Sequence, residues 1–494
     1  MVSFRTAAVA SAAVALLVPA AAQAKTKEMY VGPPLATAKK LGEVSTANAF
    51  FPSKLKVNVG DSVAFVPATH LDRRVLTRRC SAFWMCPHTL KGAPLMVSFR
   101  TAAVASVAVA FALPAAAQKK YDAGASDKEI KIGNTNPYSG PASAYGTIGK
   151  SIAAYFKMVN DEGGINGRKV NFITYDDSYS PPKTVEMARK LVEQDEVLFV
   201  FQTLGTPSNT AIHKYMNMQK VPQLHVATGA TKWNDPKGHP WTMGWQPSYQ
   251  SEAKIYVAHL LKTKPNAKIA VLYQNDDYGK DYLKGLHDGL GDKKSMIVKE
   301  VSYEVSDPTV DSQMVQLQAS GADVFVNITT PKFAAMAIRK AYDIGWKPTQ
   351  YLNNVSIGIK SVLEPAGLEK SVGLITLGYL KEPTDKQFEN DPAIVKWREF
   401  MKKYYPDGSL VDNLNVYGYS VGETIAQVLR QCGDNLTREN IMRQAASMKG
   451  FRVETLLPGV MISTSADDFA PIEAGQLQRF NGKEWVRFGD VVGK

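Results

Sequence analysis

Cysteine is scarce in this chain, which has only Cys80, Cys86 and Cys432 among its 494 residues. Three cysteines cannot form the disulfide framework that holds small secreted domains together. Cys80 and Cys86 could pair if the chain is exported, and we expect Cys432 to be a buried thiol at the end of a helix. At this length the chain can instead bury large apolar cores, and we expect two or more domains.

Long apolar runs and several enzyme motifs are also missing. Apart from two export-signal segments described below, no apolar run reaches the roughly 18–20 residues of a membrane-spanning helix. There is no H-E-x-x-H motif, no G-x-x-x-x-G-K-S/T phosphate loop and no paired metal-ligand spacing. The histidines of the main body are scattered, at His213, His225, His239, His259 and His287. We therefore expect no enzyme activity, no metal site and no cofactor.

Acidic residues are fewer than basic ones, and the formal net charge is +12. Residues 1–118 account for +9 of this charge, and the rest of the chain for only +3. The main body has no basic stripe interleaved with aromatic residues, so the charge does not indicate a nucleic-acid partner.

The pattern of the first part of the main body predicts a βαβ unit. A strand at residues 130–134 ends in a Pro/Gly loop at 136–146, and apolar residues then recur at helical spacing over 148–159. A second strand follows at 170–175. Such crossovers build parallel sheets, and ligands bind beyond the carboxyl ends of their strands. The loop that contains Tyr145 is therefore expected to face a binding site.

The same succession of strand, polar loop and helix recurs along the chain. Further strands are predicted at 197–201, 221–226, 268–273 and 324–328. The loop at 202–209 is rich in small polar groups and precedes a helix, whose free N–H groups suit a carboxylate. Ordinary N-capping by Ser208 or Thr206 is the alternative.

Three pieces of this region occur in a specific order and spacing: SGPASAYG at 139–146, NDEGGINGRKV at 160–170 and DDSYSP at 176–181. Together they resemble the extracytoplasmic receptors for leucine, isoleucine and valine, which are type I solute-binding proteins of ABC importers. The family implies an α/β fold of two Rossmann-like lobes with parallel sheets, joined by three crossing strands. By this resemblance, lobe 1 comprises residues 127–246 and 379–457, lobe 2 comprises 247–378 and 458–494, and the crossings lie at 241–249, 374–379 and 458–462.

We expect eight residues beyond these strand ends to line the ligand site: Tyr145, Gly205, Thr206, Ala227, Thr228, Gly229, Tyr278 and Thr330. The resemblance implies that Ala227, Thr228 and Gly229 contact a ligand carboxylate. It also implies that Tyr278 places its aromatic ring against the ligand.

The sequence departs from the family where its amino-acid receptors hold the ligand's ammonium group. The corresponding loop, residues 353–356, contains no carboxylate, and a buried ammonium without a paired charge is costly. The family's other acidic position is occupied by Gln246, and we expect Glu252 to lie too far along the chain. Tyr179 and Leu204 occupy the family's disulfide positions, so this crosslink is missing.

Aromatic residues are concentrated around the predicted cleft, at Tyr138, Tyr145, Trp233, Trp245, Tyr249 and Tyr278. We expect most of them to be packing or rim residues and a few to touch a ligand. The prediction is a ligand with a carboxylate or amide and an apolar or aromatic body, which need not be a free α-amino acid.

Residues 1–24 have one early arginine, an apolar core and an Ala-x-Ala ending, which is typical of a secretory signal peptide. Residues 96–118 repeat this segment almost completely, again beginning with Met96. We interpret residues 1–95 as derived from a neighbouring exported gene, with the working protein beginning at Met96. A true fusion, in which residues 96–118 persist as an apolar helix, is the alternative.

Between these two segments, residues 47–68 form an alternating pattern of two short strands joined by 58–61, which resembles the start of a cupredoxin. His70 would hold the place of the first copper ligand, and Cys86, His88 and Met96 would complete a blue-copper set. Only 15 residues separate His70 from Cys86, too few for the strands that normally intervene. We therefore interpret residues 25–95 as a truncated cupredoxin-like remnant.

These features predict a periplasmic, non-enzymatic solute-binding protein of a branched-chain amino-acid-type ABC transporter. It would capture an amino acid, amide or aromatic acid between two lobes and, as a monomer, deliver it to a permease in the inner membrane. A ligand-sensing receptor of the same fold without a transport role is the alternative.

Overall fold

The computed structural model describes residues 2–5, 26–30, 54–57, 62–66 and 119–493. The chain divides into two compact units, Met1–Phe111 and Ala112–Lys494. No helix within the described ranges is long and apolar enough to cross a membrane.

The first unit contains four short strands: β1 (Val2–Arg5), β2 (Thr26–Tyr30), β3 (Lys54–Val57) and β4 (Ser62–Val66). β1 pairs antiparallel with β3, and β2 pairs parallel with β4. The two strands predicted within residues 47–68 are present, but each pairs with a more N-terminal segment and not with the other. The candidate copper ligands, Cys80 and the apolar cores of both predicted signal segments lie outside the described residues. The candidate ligands are His70, Cys86, His88 and Met96, and the cores lie within 1–24 and 96–118.

The second unit contains two larger sheets. Its strands are β5 (Lys120–Tyr121), β6 (Glu129–Asn136), β7 (Lys169–Asp176), β8 (Phe199–Phe201), β9 (Gln223–Val226), β10 (Thr242–Gly244), β11 (Ile269–Gln274), β12 (Ile297–Tyr303), β13 (Val324–Ile328), β14 (Thr349–Leu352), β15 (Ile375–Gly378), β16 (Asn435–Leu436), β17 (Ala474–Phe480) and β18 (Trp485–Gly493). The first sheet is parallel and has the order β10-β9-β8-β6-β7. The second has the order β12-β11-β13-β14-β15-β17-β18, and its last two strands run antiparallel to their neighbours.

Helices cover these sheets. They are α1 (Gly146–Asp161), α2 (Pro181–Arg189), α3 (Thr206–Gln219), α4 (Tyr249–Thr263), α5 (Asp277–Leu290), α6 (Asp311–Ala319), α7 (Pro331–Asp343), α8 (Pro392–Tyr404), α9 (Asn413–Cys432) and α10 (Arg438–Ala445). In α1 the helical spacing buries Ile148, Ile152, Phe156 and Val159, which pack in one core with the middle of α9. The chain crosses between the two sheets three times. This confirms the predicted α/β architecture of two lobes.

The third crossing differs from the prediction. Residues 458–462, predicted as a crossing strand, form no strand, and Val460 and Ile462 are buried in the core of the first lobe. The strand that enters the second sheet is β17, beginning at Ala474, so the predicted boundary at 458 moves towards 474. The alternation of apolar residues at 460 and 462 reflects their packing inward in an irregular segment and not a strand.

Helices α4 and α5 approach each other closely at a glycine. A Cβ atom at residue 285 would lie 2.6 Å from the Cα atom of Gln250 and 2.8 Å from the Cβ atom of Ala253. At Gly289, one turn further, the nearest atom is the Cβ of Val257 at 3.1 Å. Gly285 is therefore the point of closest contact.

We expect Gly285→Ala to destabilise the protein although alanine favours helix. Overpacking costs about 1–3 kcal/mol, which exceeds the gain of about 1 kcal/mol from helix propensity. Gly289→Ala is the matched control and should be close to neutral. Urea unfolding of both variants gives the comparison, and equal stabilities would contradict the close approach of these helices.

Candidate ligand-binding site

A cavity lies between the two lobes of the second unit. Its wall is formed by segments that follow each of the strands β6 to β10 of the first sheet and β11, β13, β14 and β15 of the second, together with the start of α9. The space open to the centre of a water molecule is about 50 Å³, and one water needs roughly 10–15 Å³ on this measure. The cavity therefore has room for several waters or for one small organic molecule.

Tyrosine dominates the cavity wall. The six lining tyrosines are Tyr145, Tyr179, Tyr249, Tyr278, Tyr379 and Tyr417. The aliphatic lining side chains are Ile148, Leu204, Val355, Ile357, Leu377, Leu380 and Leu414, and the polar ones are Thr206, Gln246, Thr330, Asn354, Glu382 and Asn413. Among the wall residues that the structure describes there is no lysine, arginine or histidine. A mainly apolar wall with a few polar groups is typical of a small-molecule site.

Six of the eight residues predicted for the ligand site lie in this wall: Tyr145, Gly205, Thr206, Ala227, Tyr278 and Thr330. Thr228 and Gly229 are outside it and contact wall residues instead. The Thr228 hydroxyl oxygen is 2.6 Å from that of Thr206, and the Gly229 carbonyl accepts a hydrogen bond from the Tyr249 amide at 2.7 Å. Contact of these eight residues with a ligand stays a prediction.

Helix α3 begins beside the cavity without a side-chain cap. Its N-cap residue is Gly205, with φ 94°, and no side chain accepts from its first N–H groups. Ser208 Oγ is buried and has no hydrogen-bond partner among the described residues. The alternative of N-capping by Ser208 or Thr206 is therefore wrong. The free N–H groups of the first turn suit an oxygen atom of a ligand.

Two tyrosine rings pack directly on the backbone of the predicted loops. A Cβ atom at residue 205 would lie 2.4 Å from Cε2 of Tyr179, and one at residue 229 would lie 2.8 Å from Cδ1 of Tyr249. Both loops therefore need glycine at these points, because any side chain would displace a ring of the cavity wall.

Three of the aromatic residues predicted around the cleft line the cavity, namely Tyr145, Tyr249 and Tyr278. The other three have partners elsewhere. Trp245 donates to the Thr424 hydroxyl at 3.1 Å, the Trp233 ring meets that of His213, and the Tyr138 hydroxyl is 2.6 Å from that of Thr174.

Sequence reasoning missed Tyr179, Tyr379 and Tyr417 as wall residues. Tyr379 and Tyr417 reach the cavity from segments far along the chain, after β15 and in α9. A signal for Tyr179 was available, because it occupies the family's disulfide position. Its hydroxyl accepts a hydrogen bond at 3.4 Å from Gln274 of the opposite lobe.

Glu252 is fully buried and holds Asn354, which lines the cavity. The Glu252 carboxyl accepts hydrogen bonds from the Asn354 amide at 2.8 Å, from the Asn354 side chain, and from the hydroxyls of Tyr256 and Tyr282. Burial raises the pKa of Glu252 to about 7, and these hydrogen bonds oppose the rise. As expected, Glu252 does not line the cavity itself. It lies behind the wall and holds the wall residue Asn354 in place.

Glu382 is a second buried carboxyl group, and it lies in the wall itself, 4% exposed. Burial raises its pKa to about 8, the carboxylates of Asp412 and Asp385 add to the rise, and a hydrogen bond with Asn413 opposes it. Sequence reasoning did not single out Glu382. The available signal was its position just beyond the second crossing strand.

Four polar atoms of the wall have no hydrogen-bond partner in the part of the chain that the structure describes. They are Gln246 Nε2, the Tyr278 hydroxyl, Asn354 Oδ1 and Asn413 Oδ1. Buried polar atoms are nearly always paired, so such a concentration in one cavity indicates a missing polar partner.

Hydrogen bonds and an ion pair join the two lobes beside the cavity. Lys232 Nζ is 2.6 Å from Asp277 Oδ2, and the Thr231 amide donates to Asp281 at 2.8 Å. The Tyr145 hydroxyl also meets Ser356, although burial still raises the pKa of Tyr145 well above its usual value. These contacts hold the lobes closed around the cavity.

Sequence reasoning, which expected no G-x-S-x-G pattern, missed the one at residues 418–422 near the cavity. It lies inside α9, where Ser420 is buried and donates to the Val416 carbonyl at 2.6 Å. A nucleophile elbow requires a sharp turn between strand and helix, so this serine is a structural residue. Within the described ranges, no group of three or more His, Cys, Asp or Glu side chains could hold a metal ion.

Comparison with known proteins agrees with this architecture. The sequence profile of the periplasmic binding protein family matches residues 129–484. Leu/Ile/Val-binding protein homolog 1 of Brucella suis biovar 1 is 27% identical over 320 residues, which cover 63% of this chain and 81% of that protein.

Two solved structures show the same fold. A branched-chain amino acid ABC transporter protein from Thermus thermophilus with bound valine has a TM-score of 0.67 at 15% identity, covering 74% of this chain and 97% of that one. A solute-binding protein from R. palustris in complex with 4-hydroxybenzoate has a TM-score of 0.63 at 15% identity, covering 74% of this chain and 98% of that one. The chain therefore belongs to the periplasmic binding protein family, in its leucine/isoleucine/valine-binding type with the type I fold.

Proposed function

We propose that this protein is the extracytoplasmic receptor of an ABC importer of the branched-chain amino-acid type. It binds one small amino acid, amide or aromatic carboxylate between its lobes and delivers it, chemically unchanged, to a permease in the inner membrane. The observation that carries this proposal is the cavity between the lobes, because polar atoms without partners sit in an otherwise tyrosine-rich and aliphatic wall.

The mechanism is closure of the lobes around the solute. A solute that touches both lobes stabilises the closed arrangement, since its contacts with the second lobe form only on closing. Contacts such as Tyr179 with Gln274 and Lys232 with Asp277 form at the same time. The permease then meets one closed shape, whichever accepted solute is inside.

An extracytoplasmic location is supported by the family and by the sequence. Relatives are described as periplasmic binding proteins, and residues 1–24 and 96–118 have the composition of export signals. We propose that the working protein begins at Met96, matures by cleavage near Ala117 and folds as the two lobes.

The ligand chemistry is supported by the wall and by two relatives. Those relatives hold valine and 4-hydroxybenzoate, each an apolar body with a polar end. A thermal-shift screen of amino acids, amides, urea-type compounds and aromatic acids tests the proposal. A solute present at a hundred times its Kd stabilises the folded protein by about 2.7 kcal/mol and raises its Tm. If no solute of any class raises the Tm, the proposal fails.

Gln246→Ala is expected to weaken binding of the solute found in that screen by about tenfold or more, since one polar partner is lost in a buried site. The Gln246 side-chain oxygen is fixed by the Tyr417 hydroxyl at 3.1 Å, and its nitrogen is left free for a ligand. Gln250→Ala is the matched control, because the Gln250 amide bonds Asp281 outside the wall. Calorimetric titration should show full affinity for the control. Full affinity in Gln246→Ala would place the solute elsewhere.

A further inference from the structure

We propose that Glu382, with Asn413 beside it, selects solutes that carry an N–H group, as an amine or an amide, over solutes whose only polar group is a carboxylate. The inference rests on the proposed function, because it names the substrate class of the same cavity. Glu382 is a different residue from any in the loop 353–356, where the resemblance implies an acidic partner and the sequence has none.

Glu382 lines the cavity and forms no ion pair with a lysine or arginine among the described residues. It follows β15 on the segment that returns to the first lobe, and its side chain is part of the wall. The neighbouring cations pair with other acids: Lys381 Nζ is 2.7 Å from Asp391, and Arg487 Nε is 3.2 Å from Asp385. Among the described residues no ion pair reaches Glu382, and a buried acid without a partner is costly.

The groups around Glu382 are acceptors. Asn413 Oδ1 and, across the cavity, Asn354 Oδ1 have no donor among the described residues. The described wall contains no lysine, arginine or histidine that could offset a ligand carboxylate. A carboxylate ligand would therefore add further acceptor oxygens beside oxygens that already lack a donor, whereas an N–H group supplies that donor.

Several donors of the loops predicted to hold a ligand carboxylate are already engaged, among them two that the resemblance assigns to it, the Thr228 hydroxyl and the Ala227 amide. The hydroxyls of Thr206 and Thr228 pair with each other at 2.6 Å. The amides of Gly205 and Ala227 donate to backbone carbonyls at 3.2 and 3.0 Å. The donors still free include the first-turn N–H groups of α3, Gln246 Nε2 and the Tyr278 hydroxyl, and they suit the carbonyl oxygen of an amide.

The test compares compounds of matched shape that differ only in the polar group, on the full chain. The sets are benzamide, benzoate and benzylamine, and isovaleramide, isovalerate and isoamylamine, with binding measured by thermal shift and calorimetry. We expect an amide or amine to bind at least about tenfold more tightly than its carboxylate. Glu382→Gln should reduce that preference to about threefold or less.

Two further variants keep the test decisive. Glu382→Asp retains the carboxyl group and should retain the preference even if Glu382→Gln fails to fold. Glu364→Gln changes an exposed glutamate that pairs with Lys360 and should leave binding unchanged. Carboxylates that bind as tightly as their amides, or an undiminished preference in folded Glu382→Gln, would overturn the assignment and leave the solute receptor intact. If no compound in these sets or in the wider screen binds, the proposed function fails as well.

Discussion

Replacing Glu252 with alanine is expected to lower the free energy of unfolding by about 3–5 kcal/mol, because it breaks a buried hydrogen-bond network in which several donors share one acceptor group. The Glu252 carboxyl is fully buried and accepts hydrogen bonds from Tyr256, Tyr282 and both amides of Asn354. Alanine leaves Tyr282 and both Asn354 donors without this acceptor, whereas the Tyr256 hydroxyl keeps the Leu352 carbonyl at 2.9 Å. A buried unpaired group costs about 1–3 kcal/mol. Urea unfolding measures the difference. Glu364→Ala, at an exposed pair, is the control and should stay within about 1 kcal/mol of the parent.

The cost of Glu252→Ala should also depend on pH. Burial raises the pKa of Glu252 in the folded protein to about 7, from 4.5 when it is free. The folded state therefore binds the proton on Glu252 more tightly than the unfolded state does. The stability that this protonated group contributes is fully present below pH 4.5 and is lost as the pH rises through about 7. The difference between parent and variant should be larger at about pH 5 than at about pH 8. The opposite trend would show that Glu252 is ionised and stabilising in the folded protein.

Gly205→Ala is expected to have the second large effect, a loss of stability by about 1–3 kcal/mol from backbone strain and a weakening of solute binding by at least about tenfold. Gly205 has φ 94°, which an L-residue rarely adopts, and a Cβ atom there would lie 2.4 Å from the Tyr179 ring. The ring would have to leave its place in the wall and its contact with Gln274 across the lobes.

Gly321→Ala separates the two contributions. Gly321 has φ 69°, but a Cβ atom there would meet nothing within 4 Å. This control should lose stability through strain alone and keep its affinity for the solute. Thermal unfolding and calorimetric titration of both variants give the comparison. Unchanged affinity in Gly205→Ala would mean that the position of Tyr179 is irrelevant to binding.

The order of strands and helices could be predicted because each strand of the main body is a short buried apolar run followed by a polar loop. The same rule located Tyr145, Gly205, Thr206, Ala227 and Thr330 in the wall, since ligand loops follow the carboxyl ends of parallel strands. It could not show that the Thr228 hydroxyl is turned to Thr206. That arrangement depends on tertiary packing and not on a local pattern.

Other parts of the site were beyond the reach of local patterns. Tyr379, Glu382 and Tyr417 line the same cavity as Tyr145 because the chain crosses three times between the lobes. The periodicity of a crossing segment does not show which of its sides faces inward. Residues 458–462 were misread for a related reason. Val460 and Ile462 alternate as a strand would, yet they fill the first core.

The most direct test of the account is a crystal structure of the full chain with the solute identified by the thermal-shift screen. We predict one solute molecule between the lobes, in contact with Tyr145 of the first lobe and Tyr278 of the second, with its polar end paired to Gln246, Asn413 or Glu382. A solute bound outside this cavity, for example in the polar groove beside Arg438 and Trp241, would contradict it.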